Sequence, residues 1–356
     1  MGRKRIVLTD LAREVGVSSC TVSKALRGLH GVSPGIRTKV QRVAERLNYV
    51  PNHHAQSLSS GRTNLVGLVT PPIILMTPQE DALGRLEMLA RADGKRLVRV
   101  DYDRDECSTL LNIALEQHWQ GMFLFPNAPD AEIAKLARAL NEFEIPLVTA
   151  GCGPLDVDGV MRDLAHGIRL LLDHAHAQGM RRVCIITWVG EAQDLPHSEK
   201  FKSLEADLRY RGMELVAAIG YEDLVSHGPA VYRTAYEAFE SALERGLDVD
   251  LVIGANDVIA IAAMNCLLNH GRRVPDDVAV SGYDDTEYAL YSRPPLTTIA
   301  SPREEIAELG WGMLRRRLNG ESGAPRAVTV LPTLIVREST GVAQMSVGVL
   351  KEAEGN

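Results

Sequence analysis

From residue 65 onward the chain alternates short apolar runs with stretches of helical periodicity, and few folds accept that rhythm. LVGLVT precedes a helical stretch from Ala82 to Asp93, RLVRVDYD one from Cys107 to His118, and GMFLFP one from Ala131 to Glu144, before PLVTAG. A second set takes Leu164 to Gln178 with RVCIITW, Glu199 to Arg211 with ELVAAIG, Tyr232 to Arg245 with DLVIGAN, and Asp257 to Gly271 with VAVSGYDD. Strands alternating with helices demand a parallel sheet covered by helices on both faces. Two such sets predict two doubly wound α/β lobes of similar build with a cleft between them.

The first 64 residues follow a different pattern. Thr9 stands as N-cap before Leu11, Ala12 and Val15, which recur at helical spacing, and Gly16 permits a tight turn. Ser18 caps a second helix in which Val22, Ala25 and Leu26 face inward, leaving Ser19, Cys20, Ser23 and Lys24 on the outer face. Ser33 and Pro34 then open a longer amphipathic helix marked by Ile36, Val40, Val43, Ala44 and Leu47. Three short helices on one small core read as a helix-turn-helix head, whose second helix enters a DNA major groove with its first residues at base edges. Ser19, Cys20 and Lys24 are the base-contact candidates, since Lys donates to guanine N7 or O6. Thr21 and Ser23 suit phosphates, which position a head without specifying sequence. The plainer alternative makes all five solvated polar positions of a small helical domain.

Charge separates the two regions. Whole-chain charge is −7, yet residues 1–64 hold eleven Lys and Arg against three acids, so this segment carries +8 and the remainder −15. A basic head on an acidic body suits a module that approaches phosphate while its carrier stays soluble. The five cysteines, Cys20, Cys107, Cys152, Cys184 and Cys266, are odd in number and show no CxxC or Cys/His ligand spacing. Free thiols in a reducing cytoplasm fit them. There is no signal-peptide core and no apolar run of transmembrane length, so no membrane partner is expected. No GxGxxG follows the first strand and no P-loop or metal-ligand cluster is visible, so neither cofactor nor metal is expected.

Past Tyr49 and Pro51, Asn52 can cap a helix barely two turns long, with Ala55 and Leu58 on one face. So short a helix is unstable alone and forms only against a partner. A minor groove is one such partner, because it accepts small apolar residues and lets a Leu wedge between base pairs. A linker with an incidental apolar residue is the alternative.

The segments LTDLAREVGVSSCTVSKAL, VSPGIRTKVQRVAERLNYVPN and AQSL resemble the signature of the lactose/galactose repressor (LacI/GalR) family of bacterial transcription regulators. The likeness extends over nearly the whole chain. It implies a hinge helix that folds on operator DNA, with Leu58 at the position of the leucine that pries open the central base step. It also implies a two-lobed, periplasmic-binding-protein-like body and a homodimer. The hinge departs from the family's ARSL, since Gln56 replaces Arg, and Lys24 stands where Arg is common.

In open α/β sheets ligands sit beyond the carboxyl ends of strands. Asn256 and Asp257 follow VIGA there, and Asp284 and Asp285 follow VSGY. Carboxylates and amides suit a polyol, since Asp accepts from hydroxyls while Asn both donates and accepts. Equally, Asn256 or Asp257 can cap the next helix, and Asp284 can brace its own loop. GANDVIAIAAMNCLLNHGRRVPDDVAVSGYDDTE and RPPLTTI are similar to the family's regulatory blocks, which implies effector-binding roles for Asn256 and Asp284. EKFKSLEADLRYRG resembles the stretch where an Arg grips the effector; Lys200 holds that place, a single-point donor in place of a planar fork. Trp188 and Tyr221, at neighbouring strand ends, are either stacking partners or ordinary core. PPIILMTPQEDALGRLE departs from the family's usual pocket wall, so this wall must differ.

The resulting organisation is a DNA-binding head over 5–50, a hinge over 51–61, a body over 62–340 and a tail over 341–356. The resemblance implies lobes that cross over, one built from 62–160 and 291–322, the other from 161–290 and 326–340. The tail lacks a Leu heptad, which favours a dimer over a coiled-coil tetramer. The expected function is a non-enzymatic, cytoplasmic DNA-binding repressor controlled by a sugar or sugar derivative between the lobes. The rival is a sugar-binding receptor or carbohydrate enzyme on the same body, against which the basic head weighs.

Overall fold

The computed structural model describes residues 6–26, 28–47, 49, 63–70, 79–102, 107–125, 130–151, 156–198, 200–221 and 230–341. The chain divides into two compact units, Met1–Asn64 and Leu65–Asn356. Ala55 and Leu58, the altered wall at 71–78 and the tail beyond residue 341 lie outside the described residues.

In the first unit, helices α1 (Leu8–Val15), α2 (Ser19–Leu26) and α3 (Pro34–Arg46) bury Leu11, Ala12, Val15, Val22, Ala25, Val40, Val43 and Ala44 in one core. Gly16 ends α1 in the left-handed region at φ 80°, where a side chain would be strained. Thr9 does not cap α1: the helix begins one residue earlier, and the carboxylate of Asp10 accepts from the Val7 amide at 3.0 Å. An acid in the first turn reaches back to a free amide better than a Thr already inside the helix. Ser18 and Ser33 act as caps, accepting from the Thr21 and Ile36 amides.

The body opens with β1 (Leu65–Thr70), α4 (Gln79–Ala92), β2 (Arg96–Asp101), α5 (Cys107–Glu116), β3 (Met122–Leu124), α6 (Asp130–Glu142), β4 (Leu147–Gly151) and β5 (Asp158–Arg162). It continues with α7 (Leu164–Ala177), β6 (Arg182–Trp188), α8 (Val189–Gln193), α9 (Leu204–Tyr210), β7 (Glu214–Tyr221), α10 (Ala230–Glu244), β8 (Leu251–Gly254), α11 (Asp257–Asn269) and β9 (Ala279–Ser281). After α12 (Glu287–Tyr291) come β10 (Thr298–Ala300), α13 (Arg303–Leu318), β11 (Ala327–Val330) and β12 (Thr333–Ile335).

Two parallel sheets result, ordered β11-β5-β4-β3-β1-β2 and β7-β6-β8-β9, with β10 and β12 paired antiparallel beside them. Strand alternation sends Phe123, Val148 and Ala150 toward α4 and α13, and Met122, Leu124 and Leu147 toward α5 and α6. The smaller sheet does the same, with Cys184, Ile186 and Val252 toward α10 and α11, and Val183, Ile185 and Leu251 toward α7 and α9. Both faces of each sheet are covered, as parallel sheets require. No helix among the described residues is long and apolar enough to cross a membrane.

The chain passes between the sheets at different points from those the sequence suggests. β11 pairs with β5 in the larger sheet, so residues 327–330 lie with the first lobe and the last passage follows residue 330. Leu296 and Ile299 are fully buried in the cores of the smaller sheet, and Thr297 bridges Ser281, so the stretch before residue 301 belongs with the second lobe. β5 and β10–β12 escaped the apolar pattern because they are short and rich in Asp, Gly and Thr.

Candidate functional site

On α2, Cys20 and Lys24 lie one turn apart and are exposed, while Ser19 and Ser23 form a partly exposed row beside them. Val22 and Ala25 hold the inner face. Thr21 is more engaged than a free phosphate ligand: its hydroxyl lies 2.9 Å from Ser18 Oγ, and its amide donates to the same oxygen at 3.1 Å. Several basic residues of the head are likewise committed internally. Arg37 donates to the Leu29 carbonyl at 2.8 Å, Lys39 to the Val15 carbonyl at 3.0 Å, and Arg46 pairs with Glu14. Part of the positive charge therefore braces the three helices, and Lys24 is among the cations presented outward.

In the body, the charged candidates gather where β6, β8 and β9 end. After β6, Glu191 of α8 accepts from the Thr187 and Ser198 hydroxyls. Ser198 Oγ in turn accepts from the Lys200 and Phe201 amides at 3.2 and 3.3 Å, which fixes the turn that carries Lys200. The Lys200 ammonium crosses to the end of β8, donates to the Ala255 carbonyl, and stands 4.2 Å over the ring of Tyr283. Burial pulls the Lys200 pKa down, and the negative charges of Asp284 and then Glu191 oppose that shift.

Asp284 follows β9 in the left-handed region at φ 117°, held by its amide donating to the Ile299 carbonyl at 2.8 Å. Its carboxylate accepts no hydrogen bond and makes no ion pair within 4.0 Å among the described residues. Burial raises its pKa; Lys200, Arg162 and Arg303 oppose the rise without touching it. Asp285, next in the chain, is occupied: its carboxylate accepts from Arg337 at 2.6 Å.

Asn256 and Asp257 divide their roles differently. Asn256 Oδ1 caps α11 by accepting from the Ile259 amide at 2.9 Å, so the capping alternative holds for that atom. Asp257 is fully buried, and its carboxylate accepts from the Thr286 amide at 2.7 Å, the Thr286 hydroxyl at 3.0 Å and the Thr298 hydroxyl. It clamps the loop that bears Asp284. A Cβ at position 282 would come 2.3 Å from Asp257 Oδ1, so only glycine lets the carboxylate in. Burial, reinforced by the charge of Asp284, pushes the Asp257 pKa up to about 7 against the pull of its hydrogen bonds.

The aromatic candidates part company. Trp188 is 42% exposed at the end of β6, with its ring over Gly190, whereas Tyr221 is buried in the core with Val231 and Phe239. Residues the sequence reading passed over include Arg162 at the end of β5, together with Glu191, Tyr283 and Arg303. Arg162 was readable only as a polar residue closing a strand, and that strand, DGVMR, has too little apolar alternation to announce itself.

Glu240, Cys266 and His270 of α10 and α11 also come within 4.8 Å of one another, a grouping that sequence spacing did not flag. His270 Nδ1 lies 2.9 Å from the Cys266 carbonyl and Nε2 lies 3.7 Å from Glu240, an ion-pair geometry that ties the two helices. Burial pushes the Cys266 thiol up to about 11, away from the reactive thiolate.

A basic three-helix head joined in one chain to a two-sheet body with charged groups at its strand ends defines a DNA-binding regulator with a ligand-binding body. Residues 7–52 match the model of the bacterial regulatory proteins of the lacI family, and residues 172–340 match a periplasmic binding protein-like domain. The transcriptional regulator CelR of Thermobifida fusca is 31% identical over 348 residues, covering 95% of this chain and 99% of that protein. The chain belongs to the lacI family. Its fold matches the lac repressor dimer bound to operator and the anti-inducer ONPF, with TM-score 0.83 and 22% identity over 95% of this chain and 100% of that one. It also matches the CelR–cellobiose complex, with TM-score 0.65 and 29% identity over 94% and 100% of the two chains. The family comprises transcriptional regulators, not enzymes.

Proposed function

We propose that the protein is a homodimeric, cytoplasmic repressor whose hold on operator DNA is set by a small effector, a sugar or sugar derivative, bound in its cleft. Lys200, Asn256 and Asp284 hold the effector. The observation that carries this reading is the Asp284 carboxylate, placed by a left-handed backbone among charged neighbours and accepting nothing from the described residues. Burying an acceptor without a partner costs free energy that a ligand hydroxyl would recover. Asn256 keeps its amide donor for the same ligand, since its oxygen is the atom that caps α11. The CelR–cellobiose complex supports the same class of ligand.

At the head, Lys24 with Ser19 and Cys20 meets base edges, while Ser23 and the Thr21 end of α2 meet phosphates. Ala55 and Leu58 supply the minor-groove wedge. Coupling is reciprocal, so operator must change effector affinity by the factor by which effector changes operator affinity. A gel-shift titration with Leu58→Ala tests the DNA side: operator affinity falls at least tenfold while calorimetric effector binding persists. Unchanged operator affinity defeats the wedge assignment.

A further inference from the structure

The Arg162 guanidinium is half-buried at the end of β5, with Nε shielded from solvent and unpartnered. None of its nitrogens makes a hydrogen bond or ion pair with a described residue. It packs against Gly151, where a Cβ would come 3.0 Å from Nη2 and where φ is +103°. Glycine at the end of β4 thus makes room for this cation. Its charge is felt at Lys200, Tyr283 and Asp284, across from the larger sheet to the strand ends of the smaller one. Arg303, where the chain re-enters the larger sheet, adds a third positive charge felt at Asp284.

The surrounding acids do not neutralise this group by contact. Glu191 is held by two hydroxyls, Asp257 by Thr286 and Thr298, Asp285 by Arg337, and Asp163 by the His166 amide and Arg169. Lys200 spends one of its three protons on the Ala255 carbonyl. Among the described residues, Arg162 and the remaining Lys200 protons are thus donors left uncommitted near the Asp284 carboxylate. Shielding a guanidinium nitrogen from water without a partner is costly, and the planar fork fits a carboxylate or phosphate best.

We propose that the effector carries an acidic group, a carboxylate or a phosphate, held by Arg162 from one lobe and Lys200 from the other, with its hydroxyls on Asp284 and Asn256. This rests on the effector reading above and narrows it. An anion that bridges the two sheets gains contacts only when both approach it, so the same group that confers specificity favours closure.

The test uses the full-length protein and isothermal titration calorimetry with four probes: D-gluconate, D-galacturonate, D-glucose 6-phosphate and D-glucose. At least one acidic probe binds, D-glucose binds at least tenfold more weakly, and the acidic affinity falls as salt is raised. Arg162→Gln loses at least 50-fold for the acid, while Arg162→Lys restores part of it and operator affinity without ligand is unchanged in both. The two sugar acids against the phosphate identify which anion is meant. D-glucose binding as well as the acids, with Arg162→Gln unaffected, overturns the anion assignment and leaves the effector reading standing. Heat from none of the four probes overturns both.

Discussion

The loops after β8 and β9 each present a polar pair at the carboxyl end of a strand, Asn256–Asp257 and Asp284–Asp285, and the two pairs are used in opposite ways. After β8, Asn256 turns its oxygen onto α11 and Asp257 disappears into a three-donor clamp. After β9, Asp285 is tied to Arg337 while Asp284 accepts nothing from the described residues. In each loop one residue of chain separates a spent carboxylate from a neighbour with a polar group left over, the Asn256 amide nitrogen or the Asp284 carboxylate. What differs is backbone: Asp284 and Asp285 both sit at positive φ, 117° and 51°, which swings adjacent side chains to different partners. Position at a strand end therefore marks polar candidates but does not say which of their atoms are already spent.

That contrast can be broken most forcefully at Asp257. Replacing it with Ala leaves the buried Thr286 amide and two hydroxyls without an acceptor, a loss of about 3 kcal/mol in urea-measured stability. A cost below about 1 kcal/mol would mean that the clamp is replaceable by water and that the two loops differ less than their geometry says. Asp284→Asn should do the reverse. Effector affinity falls about 100-fold by calorimetry, while stability holds or rises, because a half-buried carboxylate that accepts nothing from the described residues has been removed.

Asn256→Ser sharpens the comparison within one residue. Serine keeps the cap, so stability changes by less than about 0.5 kcal/mol, while loss of the amide donor costs about tenfold in effector affinity. If both quantities are unchanged, Asn256 is only a cap. The smallest effect is in pH. The folded Asp257 pKa of about 7 lies above its ordinary 3.8, so the native state retains a proton that the unfolded chain has released. Stability therefore falls as pH rises from about 4 to about 7, and is lowest above that window. Between pH 6 and 7 the drop is about 1 kcal/mol, and Asp257→Asn should flatten it in matched urea titrations.

Much of this molecule was legible beforehand, unevenly. The apolar runs RVCIITW and DLVIGAN appear as β6 and β8 because parallel strands buried on both faces cannot disguise themselves. Ser18 and Ser33 announced helices that they do cap. Thr9 misled because the helix started at Leu8 and an acid three residues past Val7 took over the cap. Arg162 stayed hidden in a strand made of Asp, Gly, Val, Met and Arg, whose place in the sheet comes from its neighbours β4 and β11. The return through β11 was misplaced for the same reason.

The sequence by itself determined most of the parts: the helices and the longer apolar strands, the basic head on an acidic body, and the strand ends where polar residues collect. These follow from spacing and composition, which act over a few residues. Only tertiary structure decided which polar groups are spent and which are open. Asp257 meets its donor partners 29 and 41 residues away, and Lys200 reaches a carbonyl 55 residues on. Whether Asp284 and Arg162 find partners likewise depends on where distant strand ends converge, because burial and hydrogen-bond satisfaction belong to three-dimensional neighbourhoods and no local pattern encodes them.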